Sequence, residues 1–333
     1  MMEIAVIGVG KVAQDNYIPT LLRHKDVSLT CYSRTSERTE AVAEKFGIRS
    51  ARTLDELFER KPEVVFNLTH VEQHLESTRS LLSFKPKRLF LEKPLVAKNG
   101  QAHVMQEDFW DGKKLLLEAQ GAGAETAMVF NYRFFDQIQR AKRLIEERSL
   151  GEVISVVALT HFACWSHSID LIMYFAGPIR EICAQQGSRP YPFEDAETID
   201  VTASFVTDKQ ATGSLLGTSG LHWNFPLFEL TINFERGRIH FRDLDQDMEV
   251  LDYNGNVHEL FSPVRHESRW TKYNESFEKS VDAYLTSVRE GAPPPVPGIA
   301  GLLELQVEAS LKKSIAERRP VLPAEEFPTD PVR

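Results

Sequence analysis

Cysteine is scarce in this sequence. Cys31, Cys164 and Cys183 are an odd number with no Cys-x-x-Cys spacing, so neither a disulfide framework nor a zinc cluster is expected. No other spacing of His, Cys, Asp and Glu suggests a metal site. Long apolar runs are absent too: none approaches the roughly 20 residues that span a bilayer. The opening Met1-Met2-Glu3 lacks the basic start of a secretory leader. The expectation is a soluble cytoplasmic protein with reduced thiols and no membrane partner. Positive charge is also short, with 39 Lys and Arg against 48 Asp and Glu and a net charge of −9. A binder of nucleic-acid backbones needs a concentrated basic face, so no nucleic-acid partner is expected. Nucleophile motifs of the Gly-x-Ser-x-Gly kind, internal repeats and low-complexity tracts are all missing.

What is present is an ordinary globular composition, 42% hydrophobic and 26% charged, over a length that suggests two domains. The first third alternates strands and helices. Ile4–Ile7, Val27–Tyr32, Val64–Leu68 and Arg88–Leu91 read as short buried strands. Helical patterns run through Leu21-Leu22, from Thr35 to Phe46 and from His70 to Leu82, and Thr53-Leu-Asp-Glu56 reads as a capping box. This rhythm predicts a doubly wound parallel sheet covered on both faces. After about residue 125 it changes. Met128–Tyr132 reads as a strand, and Phe135–Arg148 and His167–Phe175 as helices. Val201–Thr207, Ala211–Leu216, Phe228–Phe234, Arg238–Phe241 and Met248–Tyr253 read as strands, some joined by hairpins at Glu235-Arg-Gly237 and Asn254-Gly255. Helices follow from Tyr273 to Glu290 and from Gly301 to Glu317. The division predicted is a Rossmann-type dinucleotide-binding domain at 1–122 and an α+β domain at 123–333 with a large, mostly antiparallel open sheet.

Gly8-Val9-Gly10-Lys11-Val12-Ala13 follows the first strand directly and opens a helix. Gly8 allows the tight turn, Gly10 lets a pyrophosphate approach the backbone, and Ala13 still permits close helix–strand packing. The free N–H groups at a helix start favour the anionic pyrophosphate. At the end of the second strand an NAD site usually places a carboxylate for the ribose hydroxyls. Here the residues are Tyr32-Ser33-Arg34-Thr35, with no acid before Glu37. Ser33 can hydrogen-bond a 2′-phosphate and Arg34 can pair with it or stack on adenine, with Arg38 and Lys11 nearby. The expectation is NADP(H) in preference to NAD(H).

Glu92-Lys93-Pro94 ends a strand about 80 residues after the Gly turn. Together with Asn67-Leu-Thr69-His70…His74, Asn131-Tyr132-Arg133 and His167-Ser-Ile-Asp170, it makes an ordered set that resembles the Gfo/Idh/MocA oxidoreductases over essentially the whole chain. The resemblance implies hydride exchange between a nicotinamide and a secondary alcohol or ketone, most often on a sugar, cyclitol or related polyol. It implies a homodimer or homotetramer built through the C-terminal sheet, and a cis peptide at Lys93–Pro94. It places Thr69, His70, His74 and Glu92 near the cofactor, although burial without function is an equal reading of His74.

By the same resemblance Lys93 sits beside the nicotinamide and hydrogen-bonds the reacting oxygen, where its charge stabilises alkoxide character. His167 is implied as proton donor or acceptor, a role suited to imidazole. Asp170, three residues on, matches a position that contacts substrate hydroxyls and reads equally as a helix-surface carboxylate. Arg133, Tyr132 and Trp165 are further candidates for the substrate side. One departure stands out: the Asp usual four residues before the histidine is Ala163 here, and Cys164 and Trp165 replace small residues. Either Lys93 and His167 suffice, or a group such as His161 or Tyr132 fills in. Gly220–Asn224 offers Trp223 as a stacking face or is a sheet-edge loop. Two other readings stay open: a non-catalytic dinucleotide-binding sensor, and a reductase for a non-sugar ligand in an apolar pocket of Trp165, Phe225 and Phe228.

Overall fold

Met2–Ile7 forms strand β1, and its side chains are buried almost throughout, as a strand with both faces covered requires. It pairs in parallel with β2 (Val27–Tyr32) on one side and β4 (Val64–Asn67) on the other. With β3 (Arg49–Ser50), β5 (Arg88–Leu91) and β6 (Glu125–Met128) the sheet runs β3-β2-β1-β4-β5-β6, the doubly wound order expected. The strand order reverses between β1 and β4, so the loops leaving those two strands border the crevice where such sheets take ligands. A π-helical turn at Ala13–Tyr17 leads into α1 (Ile18–Leu22); α2 (Ser36–Phe46), α3 (Leu54–Glu59) and α4 (His74–Leu82) follow. Thr53 Oγ1 accepts from the Glu56 amide at 3.1 Å, and the Glu56 carboxylate reaches back to the Arg52 amide at 2.8 Å. Helix α5 (Gln106–Gly121) was not anticipated. The predicted strand at Met128–Tyr132 is instead the end of β6, a short link and a 3-10 turn at Asn131–Phe134.

The computed structural model describes residues 1–193, 196–224, 226–243, 246–262 and 268–332. The chain forms two compact units. The first comprises Met1–Val129, Phe277–Leu305 and the residues from Thr329 on; the second comprises Phe130–Ser276 and Gln306–Pro328.

The second unit is built on an eight-stranded sheet, with α6 (Asp136–Glu147) and α7 (Trp165–Ala176). Its strands are β7 (Val153–His161), β8 (Ile179–Phe193), β9 (Ala196–Thr207), β10 (Thr212–Thr218), β11 (Phe228–Phe234), β12 (Gly237–Arg242), β13 (Met248–Asp252) and β14 (Val257–Phe261), in the order β14-β13-β12-β11-β7-β10-β9-β8. All neighbours are antiparallel except β7 and β10. Val156, Ala158, Leu215, Leu230, Ile232, Ile239, Phe241 and Val250 form the buried face. Thr160 Oγ1 donates to Ser168 Oγ at 2.9 Å, tying α7 to β7. The other face leaves Val157 and Leu216 exposed mid-sheet. Strand β8 escaped the sequence reading because Pro190 and Pro192 interrupt it, which only an edge strand tolerates. Helices α8 (Arg269–Glu290) and α9 (Ile299–Glu317) and the short α10 (Pro323–Glu326) complete the chain. Among the described residues no helix is long and apolar enough to cross a membrane.

Candidate active site

The turn after β1 is shaped by two glycines with different constraints. Gly8 has φ +89°, and a Cβ there would lie 2.6 Å from the Leu68 carbonyl oxygen. The turn is thus pressed against the loop leaving β4, closing the crevice floor. A Cβ on Gly10 would meet nothing within 4 Å. Open space in front of a helix start, bounded by backbone N–H groups, is what a pyrophosphate requires. Ala13 is buried, as close helix–strand packing requires. Val12 is 46% exposed, and Lys11 reaches the solvent-facing carboxylate of Asp15. These residues fit a dinucleotide.

At the end of β2, Ser33 Oγ shares a hydrogen bond with Thr39 Oγ1 at 2.7 Å and donates to the Thr35 carbonyl at 3.2 Å. Arg34 and Arg38 are exposed and make no ion pair with any described residue. The loop after β4 is held by Asn67: its Oδ1 accepts from Thr69 Oγ1 at 2.9 Å and Ser77 Oγ at 3.1 Å, while its Nδ2 donates to Thr78 Oγ1 at 2.9 Å. His70 points outward, 67% exposed. His74 does the opposite. Its ring is buried, with Nδ1 2.7 Å from the Pro94 carbonyl and Nε2 3.1 Å from the Thr69 carbonyl. Burial holds its pKa below the ordinary value, against the pull of the two carbonyls and with the help of the nearby Lys93 charge. A neutral imidazole has one N–H; we assign it to Nδ1, which faces the closer carbonyl.

Lys93 follows β5 on the same sheet edge, and its peptide bond to Pro94 is cis, as the resemblance implied. The ammonium donates to Gln101 Oε1 at 3.0 Å. Glu92 is half-buried and turned inward: Oε1 accepts from the Tyr17 hydroxyl at 2.5 Å and Oε2 from the Lys93 amide at 3.1 Å. Burial raises the Glu92 pKa, and the Tyr17 hydroxyl, the Lys93 charge and the Lys93 amide oppose that rise. Tyr17 and Gln101 were not singled out from the sequence. The signal for Tyr17 was its place on the buried side of the helix opened by the Gly turn.

On the second unit, the His167 and Tyr132 rings stack 3.9 Å apart and 10° from parallel, both buried. The Tyr132 hydroxyl donates to Cys164 Sγ at 3.2 Å, and burial raises its pKa well above the usual phenol value. Asp170 does not lie on a helix surface. It is buried, and both its oxygens accept from Arg133, from Nε at 2.8 Å and from Nη2 at 2.5 Å. Burial pushes the Asp170 pKa up, and the Arg133 charge counters it. The Arg133 guanidinium also lies 4.8 Å over the Tyr174 ring. Trp165 is packed onto Gly217, where a Cβ would come within 2.4 Å of its ring.

Ala163 falls in a 3-10 turn before α7 rather than in the helix itself, and its amide donates to His161 Nδ1 at 3.1 Å. His161 Nε2 therefore carries the proton of the neutral ring, and burial lowers its pKa. That ring lies 4.8 Å from Trp223, which is 51% exposed. Phe228 is buried in β11, and Phe225 lies outside the described residues.

The chain is similar to known proteins in sequence and in fold. Residues 2–117 match the Gfo/Idh/MocA model, described as an oxidoreductase family with an NAD-binding Rossmann fold. The chain is 25% identical to glucose-6-phosphate 3-dehydrogenase of Bacillus subtilis over 160 residues, a match covering 47% of this chain and only 41% of that enzyme. It is 23% identical to myo-inositol 2-dehydrogenase of Thermotoga maritima, over 96% of this chain and 98% of that protein. In fold it is similar to an oxidoreductase from Agrobacterium radiobacter solved with NAD+, L-tartaric acid and magnesium, with TM-score 0.81, 18% identity, and 98% and 99% of the two chains covered. Residues 2–117 are thus similar to the Gfo/Idh/MocA oxidoreductases, and the chain as a whole has the fold of a full-length solved oxidoreductase.

Proposed function

We propose that the chain transfers hydride between NADP(H), or less readily NAD(H), and a secondary alcohol or ketone of a sugar, cyclitol or related polyol. Residues 1–122 bind the dinucleotide; residues 123–333 handle the substrate and assembly. The observation that carries this reading is the open, Cβ-free cradle at Gly10 on the same sheet edge as Lys93. The relatives named for glucose 6-phosphate and myo-inositol support the substrate class. When bound, the nicotinamide supplies or takes up the hydride.

The backbone N–H groups at the start of the helix after Gly10 hold the pyrophosphate. Arg34, with Arg38 and the Ser33 hydroxyl, receives a 2′-phosphate. Lys93 donates to the reacting oxygen and stabilises its developing negative charge. His167 gives or takes the hydroxyl proton, with Tyr132 stacked on its ring to fix the imidazole plane. Asp170 acts through Arg133: with both oxygens occupied, it anchors α7 near His167. Exposed Val157 and Leu216 on the open sheet face support a homodimer or homotetramer through that sheet; the proposed location is the cytoplasm.

The second reading, a dinucleotide-bound sensor without turnover, is favoured by Ala163, whose position offers no carboxylate. The test is a panel of sugars, sugar phosphates, inositols and their keto forms, followed at the absorbance of the reduced nicotinamide. Turnover that Lys93→Ala abolishes supports the dehydrogenase. Tight nucleotide binding with no turnover on any compound supports the sensor.

A further inference from the structure

Resting on that reading of Lys93, we infer that Tyr17 and His74 are positioning residues which clamp the lysine's main chain from opposite sides. Lys93 can present its ammonium reproducibly only if the main chain before and after it is fixed. Both sides are held, the Glu92–Lys93 peptide directly and the chain after Lys93 at the Pro94–Leu95 peptide. The Lys93 amide donates to Glu92 Oε2 at 3.1 Å, and the other oxygen of that carboxylate takes the Tyr17 hydroxyl at 2.5 Å. On the far side, the Pro94 carbonyl lies 2.7 Å from His74 Nδ1. The tip of the side chain is held separately, at 3.0 Å from Gln101.

Neither strut is free to move. The Tyr17 ring is fully buried and set edge-on against Phe66, Phe90 and Phe277, with centroids 6.0, 5.9 and 5.3 Å away. Its backbone closes the π-helical turn on the helix that begins just after Gly10. The hydroxyl therefore connects the pyrophosphate-binding helix to the lysine loop. His74 starts α4, and its second nitrogen faces the Thr69 carbonyl at 3.1 Å. With its one proton on Nδ1 it ties the start of α4 to the lysine loop through the Pro94 carbonyl, which makes it a splint rather than a ligand of the cofactor. Misplacing a reacting group by about 1 Å costs on the order of a hundredfold in rate, so main-chain anchors of this kind act on kcat.

The test uses the full chain with four variants. Tyr17→Phe removes one hydroxyl, His74→Leu removes both ring nitrogens, and His74→Asn restores a donor near the position of Nδ1. Tyr284→Phe is the control. Its ring packs against the same Phe66 and Phe90, but its buried hydroxyl has no hydrogen-bond partner among the described residues. The first readout needs no substrate: labelling of Lys93 by trinitrobenzenesulfonate, quantified by peptide mass spectrometry against exposed Lys87, with and without NADPH. Tyr17→Phe and His74→Leu are expected to change the Lys93-to-Lys87 ratio, while His74→Asn and Tyr284→Phe keep the wild-type ratio.

With whichever sugar or polyol the panel turns over, kcat is expected to fall about tenfold or more in the first two variants. KM and the NADPH Kd should stay unchanged. The acid limb of the kcat profile should move to higher pH in Tyr17→Phe, because Glu92 loses the hydroxyl that favours its ionised form. An unchanged labelling ratio in both Tyr17→Phe and His74→Leu overturns the clamp. So does an equal change in Tyr284→Phe, which would show a general loosening of the core. Absence of any turnover would overturn the dehydrogenase reading alone, and the labelling ratio would still decide the clamp.

Discussion

The two glycines of the first turn separate folding from binding, so substitution by alanine should give opposite results at the two positions. At Gly8 the backbone is left-handed, φ +89°, and the new methyl would sit 2.6 Å from the Leu68 oxygen and 2.8 Å from the Thr69 nitrogen. The left-handed conformation costs about 1–2 kcal/mol for a residue with a Cβ. The clash is with backbone, which cannot swing away, and overpacking of this kind costs about 1–3 kcal/mol. Gly8→Ala should therefore destabilise the first unit by roughly 2–5 kcal/mol, a fall in Tm on the order of 10 °C. At Gly10 nothing lies within 4 Å of the new methyl, and alanine lowers the entropy of the unfolded chain. Gly10→Ala should leave stability unchanged or raise it by up to about 1 kcal/mol. The same methyl occupies the space a pyrophosphate would take, so NADPH affinity should fall by about tenfold or more, or about 1.4 kcal/mol. The assays are urea unfolding without nucleotide and fluorescence titration with NADPH. Wild-type stability in Gly8→Ala, together with wild-type affinity in Gly10→Ala, would refute the reasoning.

Arg34→Ala should weaken NADP binding by about tenfold to a hundredfold, the worth of a charged hydrogen bond, while NAD affinity stays level; calorimetry with both nucleotides checks it. Asp170→Asn should cost about 3–5 kcal/mol in urea unfolding because it leaves the Arg133 charge half-buried without its counter-ion. The double change Arg133→Met with Asp170→Leu should recover most of that loss. Glu326 accepts from Nη1 and Nη2 of Arg319, each at 2.7 Å, and from Lys313 at 2.9 Å, and its pKa is held down to about 2. A depressed carboxylate pKa stabilises the fold above the ordinary value of 4.5 and loses that contribution as pH falls toward 2. Glu326→Gln should therefore flatten part of the acid limb of the Tm–pH curve and leave its neutral plateau lower.

The first unit was largely legible because its signals are local. A buried parallel strand reads as a short apolar run, and the Gly turn and Glu-Lys-Pro segment each sit where a strand ends. Helix α5 was missed because Gly112 breaks its pattern. That glycine is there for packing, since a Cβ would come 2.9 Å from the Leu305 side chain. Leu305 itself belongs to a segment that returns to the first unit nearly 200 residues later, and no local pattern announces such a return. On the second unit, Asp170 read equally as a substrate contact or a surface acid. Its actual partner, Arg133, is 37 residues away, a pairing that spacing cannot supply. Tyr17 was invisible as a polar residue for the same reason: its acceptor, Glu92, is 75 residues on.

All of this depends on dinucleotide binding at the turn after β1. Isothermal titration of the full chain with NADP+, NADPH, NAD+ and NADH tests it most directly. One saturable site per chain is expected, tighter for the phosphorylated pair and weakened by Gly10→Ala. No heat of binding with any of the four, from protein shown to be folded by circular dichroism, would contradict the account.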